Sequence, residues 1–86
     1  MDARSLLAWN LRQLRVDRQM SQERLAADSG VDRAYVSQIE RKLFAASIDV
    51  LDRLAATLGV DVDRLLVRPP VDAKPPANLR NGRKAD

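Results

Sequence analysis

Two pairs of side chains, one helical turn apart, raise the question of chemistry. Arg33 and Ala34, then Ser37 and Gln38, sit at positions i, i+1, i+4 and i+5. That spacing places all four on one side of a helix. The other side carries Val31, Tyr35, Val36 and Ile39. The outward set is a guanidinium fork, a methyl, a hydroxyl and a carboxamide, which together donate and accept hydrogen bonds from one rigid element. Such a face is either ordinary solvated surface or a surface that reads the edges of a partner.

Composition removes most other chemistry. The 86 residues include no histidine and no cysteine. The commonest general base and the commonest zinc ligand are therefore missing, as are thiolate sites and disulfides. No glycine-rich loop could cradle a phosphate, and no paired carboxylates stand out. Asp49, Asp52, Asp61 and Asp63 fall at helix starts and on surface, where acids complement the helix dipole. Neither an enzyme, a cofactor nor a metal site is expected. No apolar run approaches the roughly 20 residues that span a bilayer. "MDARSLLAWN" has an acid at position 2 and lacks the pattern of a signal peptide. A cytoplasmic protein without a membrane partner is expected.

Helices must position the outward set. Leu7, Leu11 and Leu14 give the spacing of an amphipathic helix over 4–19. Ser21 suits the N-cap of a second helix, with Gln22 and Glu23 in its first turn and Leu25 and Ala26 facing inward. Gly30 ends it in a position that favours the left-handed conformation. Asp32 can cap a third helix over 33–41. Ser47 can cap a fourth, with Ile48, Leu51, Leu54, Ala55 and Leu58 on one face and Gly59 as its stop. Asp61 can cap a short fifth with Leu65 and Leu66 inward. No segment alternates with the period of a strand. The expectation is an all-α, compact five-helix domain over 1–68. The segment 69–86 holds all four prolines and reads as an extended, flexible basic tail.

The net charge of +3 is uneven. Residues 1–68 carry eleven bases and ten acids, whereas 69–86 carry four bases and two acids. Twelve of the fifteen bases are arginine, the side chain suited to bidentate contacts with guanine and phosphate. This balance permits a nucleic-acid partner without demanding one.

Residues 22–41 form one unit. Ala26 lets two helices cross closely, Gly30 permits a tight turn, and Val31, Val36 and Ile39 pin the second helix to the first while its far side stays free. That is the logic of a helix-turn-helix. "SQERLAADSGVDRAYVSQIERK", preceded by "LRQLR" and followed by "IDVLDRLAATLGV", resembles the Cro/lambda-repressor-like (XRE) DNA-binding domains over roughly residues 5–67. The resemblance implies base contacts from Arg33, Ala34, Ser37 and Gln38. It implies phosphate contacts from Gln22, Arg41 and Lys42, and an ion pair between Arg15 and Glu40 that ties the first helix to the third. Side-chain chemistry agrees with those roles. Arg33 can address guanine O6 and N7, Gln38 adenine N6 and N7, and Ala34 a thymine methyl.

Two places depart from the family pattern. Lys42 stands where a glycine is usual, and Leu43, Phe44, Ala45 and Ala46 replace polar residues. Trp9 occupies a position that is often charged. Trp9, Leu43 and Phe44 suit either the protein's own core or a dimer contact. Tyr35 fits core packing or a phosphate contact. The implied function is a transcriptional regulator that binds double-stranded DNA as a homodimer, with helix 33–41 in the major groove. The alternative is an antitoxin-like module whose main partner is a protein.

Overall fold

The computed structural model of the chain describes residues 1–77. Four helices and one 3-10 turn make up the fold: α1 (Ala3–Asp17), α2 (Gln22–Ser29), α3 (Arg33–Glu40), α4 (Ile48–Leu58) and the turn Val62–Leu66. Local chemistry starts each helix. The Asp2 carboxylate accepts the Ser5 N–H at 2.9 Å, a contact that holds its carboxyl below the usual carboxylate range. The Ser21 hydroxyl accepts from Arg24 N at 3.0 Å, Asp32 from Ala34 N at 2.9 Å, and Ser47 from Val50 N at 3.1 Å. Each cap satisfies an N–H that the helix leaves unpaired.

Helix ends follow a second local rule. Gly30 and Gly59 adopt left-handed φ of 74° and 73°. Nothing lies within 4 Å of a Cβ built at Gly30, so its backbone angle, not crowding, favours glycine. α1 and α3 end the same way without glycine, with Gln19 at φ 54° and Lys42 at φ 62°. At α1, Gln19 N bonds Val16 O and Met20 N bonds Arg15 O. At α3, Lys42 N bonds Ile39 O and Leu43 N bonds Gln38 O. Both pairs form the Schellman pattern. The left-handed position explains why α1 stops at Asp17 rather than reaching residue 19.

The core collects Leu7, Leu11 and Leu14 from α1, Leu25 and Ala26 from α2, and Val31 from the turn. Val36 and Ile39 come from α3, Leu54, Ala55 and Leu58 from α4, and Leu65 from the 3-10 turn. α3 packs on both α1 and α2, so its inner side is held from two directions. Full burial of each large aliphatic side chain stabilises the fold by about 1.5–3 kcal/mol.

Three details differ from expectation. The fifth element is a 3-10 turn, closed by Arg64 N to Asp61 O at 3.0 Å, and the Asp61 side chain makes no cap bond. Leu66 is exposed while Leu65 is fully buried, because neighbours in a 3-10 helix point about 120° apart. Ile48, at the first position of α4, is 77% exposed and lies beyond the end of the core.

The chain after Leu66 is extended and turns at Val71–Asp72, with Ala73 N bonding Pro70 O at 3.0 Å. The buried Asn10 amide anchors the start of this segment by donating to Leu65 O at 3.1 Å and Val67 O at 2.7 Å. The rest of the expected flexible tail, 78–86, lies outside the described residues.

Candidate nucleic-acid interface

α3 separates its two sides cleanly. Val36 and Ile39 are 0% and 1% exposed. Arg33 and Ala34 are exposed, and Ser37 and Gln38 are half-buried on the outer side. The structure thus brings the four expected base-contacting residues onto one accessible face. Asp32 caps the helix at the end where Arg33 and Ala34 emerge, and its carboxylate offsets the positive potential of the helix N–H groups there.

The hub behind this face is one carboxylate. Arg15 Nε donates to Glu40 Oε2 at 2.7 Å and Arg15 Nη2 to Oε1 at 2.8 Å, the parallel two-bond geometry of a guanidinium fork. Arg15 Nη1 also donates to Met20 O at 2.8 Å. Glu40 Oε1 accepts two further bonds, from Arg12 Nε at 3.2 Å and Gln22 Nε2 at 3.1 Å. Arg15 and Glu40 are both buried. α1, the start of α2 and the end of α3 therefore meet at Glu40. Such a pair persists in a low-dielectric interior because its hydrogen bonds compensate lost hydration.

The remaining expected residues surround the hub or the loop after α3. Gln22 commits one amide N–H to Glu40, which sets the direction of its other N–H. Arg41 is the exposed C-cap of α3, and Lys42 follows it in the left-handed conformation. Tyr35 is half-buried. Its hydroxyl accepts the Ser47 N–H at 3.3 Å, and its ring meets Phe44 edge-on, with centroids 5.2 Å apart and planes at 84°. The apolar loop is therefore ordered from below by Tyr35. Leu43 and Phe44 remain 57% and 45% exposed. Trp9 is half-buried and lines a cavity with Pro75 and Pro76.

Three polar side chains to which the sequence assigns no role hold this arrangement, although the period of α1 puts two of them, Arg12 and Arg18, mostly on its far side. Arg12 is the second cation on Glu40. Its one-turn spacing from Arg15 was the available sign that both could address one acid. Asn10 stands beside Leu11 on the buried side of α1, where an amide needs partners. Arg18 donates from Nε to Leu58 O at 2.8 Å and from Nη1 to Leu14 O at 3.0 Å, so it ties the ends of α1 and α4. Among the described residues, no group of three His, Cys, Asp or Glu could hold a metal, and no helix is long and apolar enough to cross a membrane.

Comparison with known proteins agrees with this geometry. The helix-turn-helix family model HTH_3 matches residues 11–65. A hypothetical transcription factor of Neisseria meningitidis serogroup B is 44% identical over 68 residues, covering 79% of this chain and 64% of that protein. This chain thus spans less than two thirds of the length of that relative. The control protein C.SmaI of Serratia marcescens is 40% identical over 68 residues, covering 79% of this chain and 81% of the other. The crystal structure of the Neisseria factor superposes with a TM-score of 0.77 at 44% identity, covering 79% of this chain and 78% of that one. The restriction-modification controller C.AhdI of Aeromonas hydrophila superposes with a TM-score of 0.70 at 35% identity, covering 72% of this chain and 94% of that one. With its signature turn, its packed third helix and this match over most of the core, the chain belongs to the helix-turn-helix family.

Proposed function

We propose that this protein is a transcriptional regulator that binds double-stranded DNA sequence-specifically, with α3 in the major groove. The observation that carries the reading is α3 itself. Its inner residues Val36 and Ile39 are fixed in the core while Arg33, Ala34, Ser37 and Gln38 stay accessible. Gln22, Arg41 and Lys42 would contact phosphates on either side, and Tyr35 would add a phosphate contact or simply support the loop. The protein would act from the cytoplasm by occupying an operator and so blocking or recruiting polymerase. The names of its relatives, transcription factor and control protein, support a regulator rather than an enzyme.

The reading includes a homodimer on a near-palindromic site, with the two α3 helices about 34 Å apart or a multiple of that. Leu43, Phe44 and the exposed Ile48 supply apolar surface for such a contact, and Trp9 is a further candidate. The same loop supports a second reading, in which its main partner is another protein. Selection of bound sequences from random DNA tests the first reading. A two-fold symmetric consensus is expected, and failure to enrich any sequence would overturn it.

A further inference from the structure

The cavity beside Trp9 includes none of the four proposed base-reading side chains, although Lys42, a proposed phosphate contact, borders it. Its volume is about 200 Å³, and its walls include Ala8, Trp9, Pro75, Pro76, Arg12 and Lys42. The extended segment after the 3-10 turn reaches back over α1 to form one wall, after the two hydrogen bonds that Asn10 donates to Leu65 O and Val67 O set its course. Most of the named lining is apolar, and the indole offers a flat face for a ring. The polar lining holds Ser5 and two cations, Arg12 and Lys42. Glu40 also borders the cavity, but its carboxylate already accepts four bonds, from Arg12, Arg15 and Gln22. Arg12 spends Nε on Glu40, and its terminal nitrogens have no hydrogen-bond partner among the described residues. Arg15 already engages the Glu40 carboxylate in two bonds, so Arg12 and Lys42 are the cations that border the apolar part of the cavity.

Size and charge together define an occupant. A cavity of about 150 Å³ holds a benzene ring, so this one accommodates a single ring with one small substituent. A guanidinium favours a carboxylate as that substituent. We propose that the cavity binds a small organic acid, one flat ring bearing a carboxylate, with the ring against Trp9 and the carboxylate at Arg12. Arg12 also bonds Glu40, the residue that joins α3 to α1 and Gln22. Occupancy of the cavity thus reaches the base of the reading helix through Arg12, and Glu40 and Lys42 border the same cavity. A free phosphate would satisfy the charge but leave the apolar walls unfilled. A neutral ring would do the reverse.

Trp9 is the only tryptophan in the chain, so its fluorescence reports on this cavity directly and without DNA. The full chain would be titrated at constant ionic strength with benzoate, benzamide and inorganic phosphate as probes. Benzoate should change the Trp9 emission saturably, with an affinity about tenfold or more above that of benzamide and of phosphate. Arg12→Gln should weaken benzoate by about tenfold, since a hydrogen bond to a charged group is lost. Ala8→Leu, which enlarges a side chain on the cavity wall and leaves every charge in place, should weaken benzoate by about tenfold or more in protein that circular dichroism shows to be folded. The proposal is overturned if benzoate gives no saturable change. It is overturned equally if benzamide or phosphate matches benzoate, or if folded Arg12→Gln binds as the parent does. No outcome depends on DNA binding, so this proposal and the regulatory reading fail separately.

Discussion

The side-chain amide of Gln22, at the first position of α2, donates to the carboxylate of Glu40, at the last position of α3, at 3.1 Å. The two ends of the helix-turn-helix are joined there by a bond between side chains 18 residues apart. The same carboxylate receives Arg12 and Arg15 of α1, so the three helices cannot move independently. A reading helix fixed in this way arrives at its target with its geometry already set, which lowers the entropic cost of binding.

The hub has unequal members. Glu40→Gln removes the charge that accepts two bonds from the buried Arg15 and should cost about 3–5 kcal/mol. Arg12→Gln should cost only about 1 kcal/mol or less, because its side chain is 26% exposed and Arg15 remains in place. Urea unfolding followed by circular dichroism measures both. Equal losses would mean that Arg12, not Arg15, carries the pair.

Left-handed residues without glycine offer a stabilising change. Gln19→Gly should raise stability by about 1 kcal/mol, because φ of 54° strains any residue with a Cβ. For a domain of this size that corresponds to about 4–8 °C in Tm. Gly30→Ala should lower stability by a similar amount. Thermal melts of the two variants should move in opposite directions.

The outer face and the loop should differ in what they do to DNA binding. Arg33→Ala should cost about 1–3 kcal/mol on the selected site and relax preference at one base position. Lys42→Ala should weaken all sequences alike and reduce the slope of log K against log salt by about 1. Titrations at several salt concentrations separate the two. If Arg33→Ala and Gln38→Ala both leave affinity and preference intact, α3 does not read bases.

Leu43→Ser changes an exposed side chain, so monomer stability should shift by less than about 0.5 kcal/mol. If the apolar loop is the dimer contact, light scattering should show the mass fall by half. An unchanged dimer would move the contact elsewhere.

Asn10→Ala removes the donor shared by Leu65 O and Val67 O. A cost of about 1–3 kcal/mol is expected from the carbonyls left unpaired. Partial proteolysis should then cut between 66 and 77 sooner than in the parent chain.

Read along the chain, several features were legible because their causes are local. Ser21, Asp32 and Ser47 cap helices through bonds that span two or three residues, and Gly30 turns the chain because glycine tolerates positive φ. The period of Leu7, Leu11 and Leu14, and the pairing of Ala26 with Val36 and Ile39, foretold the packed side of each helix. The outward set of α3 followed as the remainder. Packing settled the rest. Nothing near Gln19 announces a left-handed residue, and at Lys42 the one sign is the glycine usual there in the family; the angle is imposed by the helix ends they close. Arg12 and Glu40 are 28 positions apart and Asn10 and Leu65 are 55 apart. Such partners meet only after the helices have packed, because no short-range rule connects them. The cavity at Trp9 belongs to the same class. Its walls come from α1, the end of α3 with Lys42 just beyond it, and the returning prolines, and only the folded chain brings those three together.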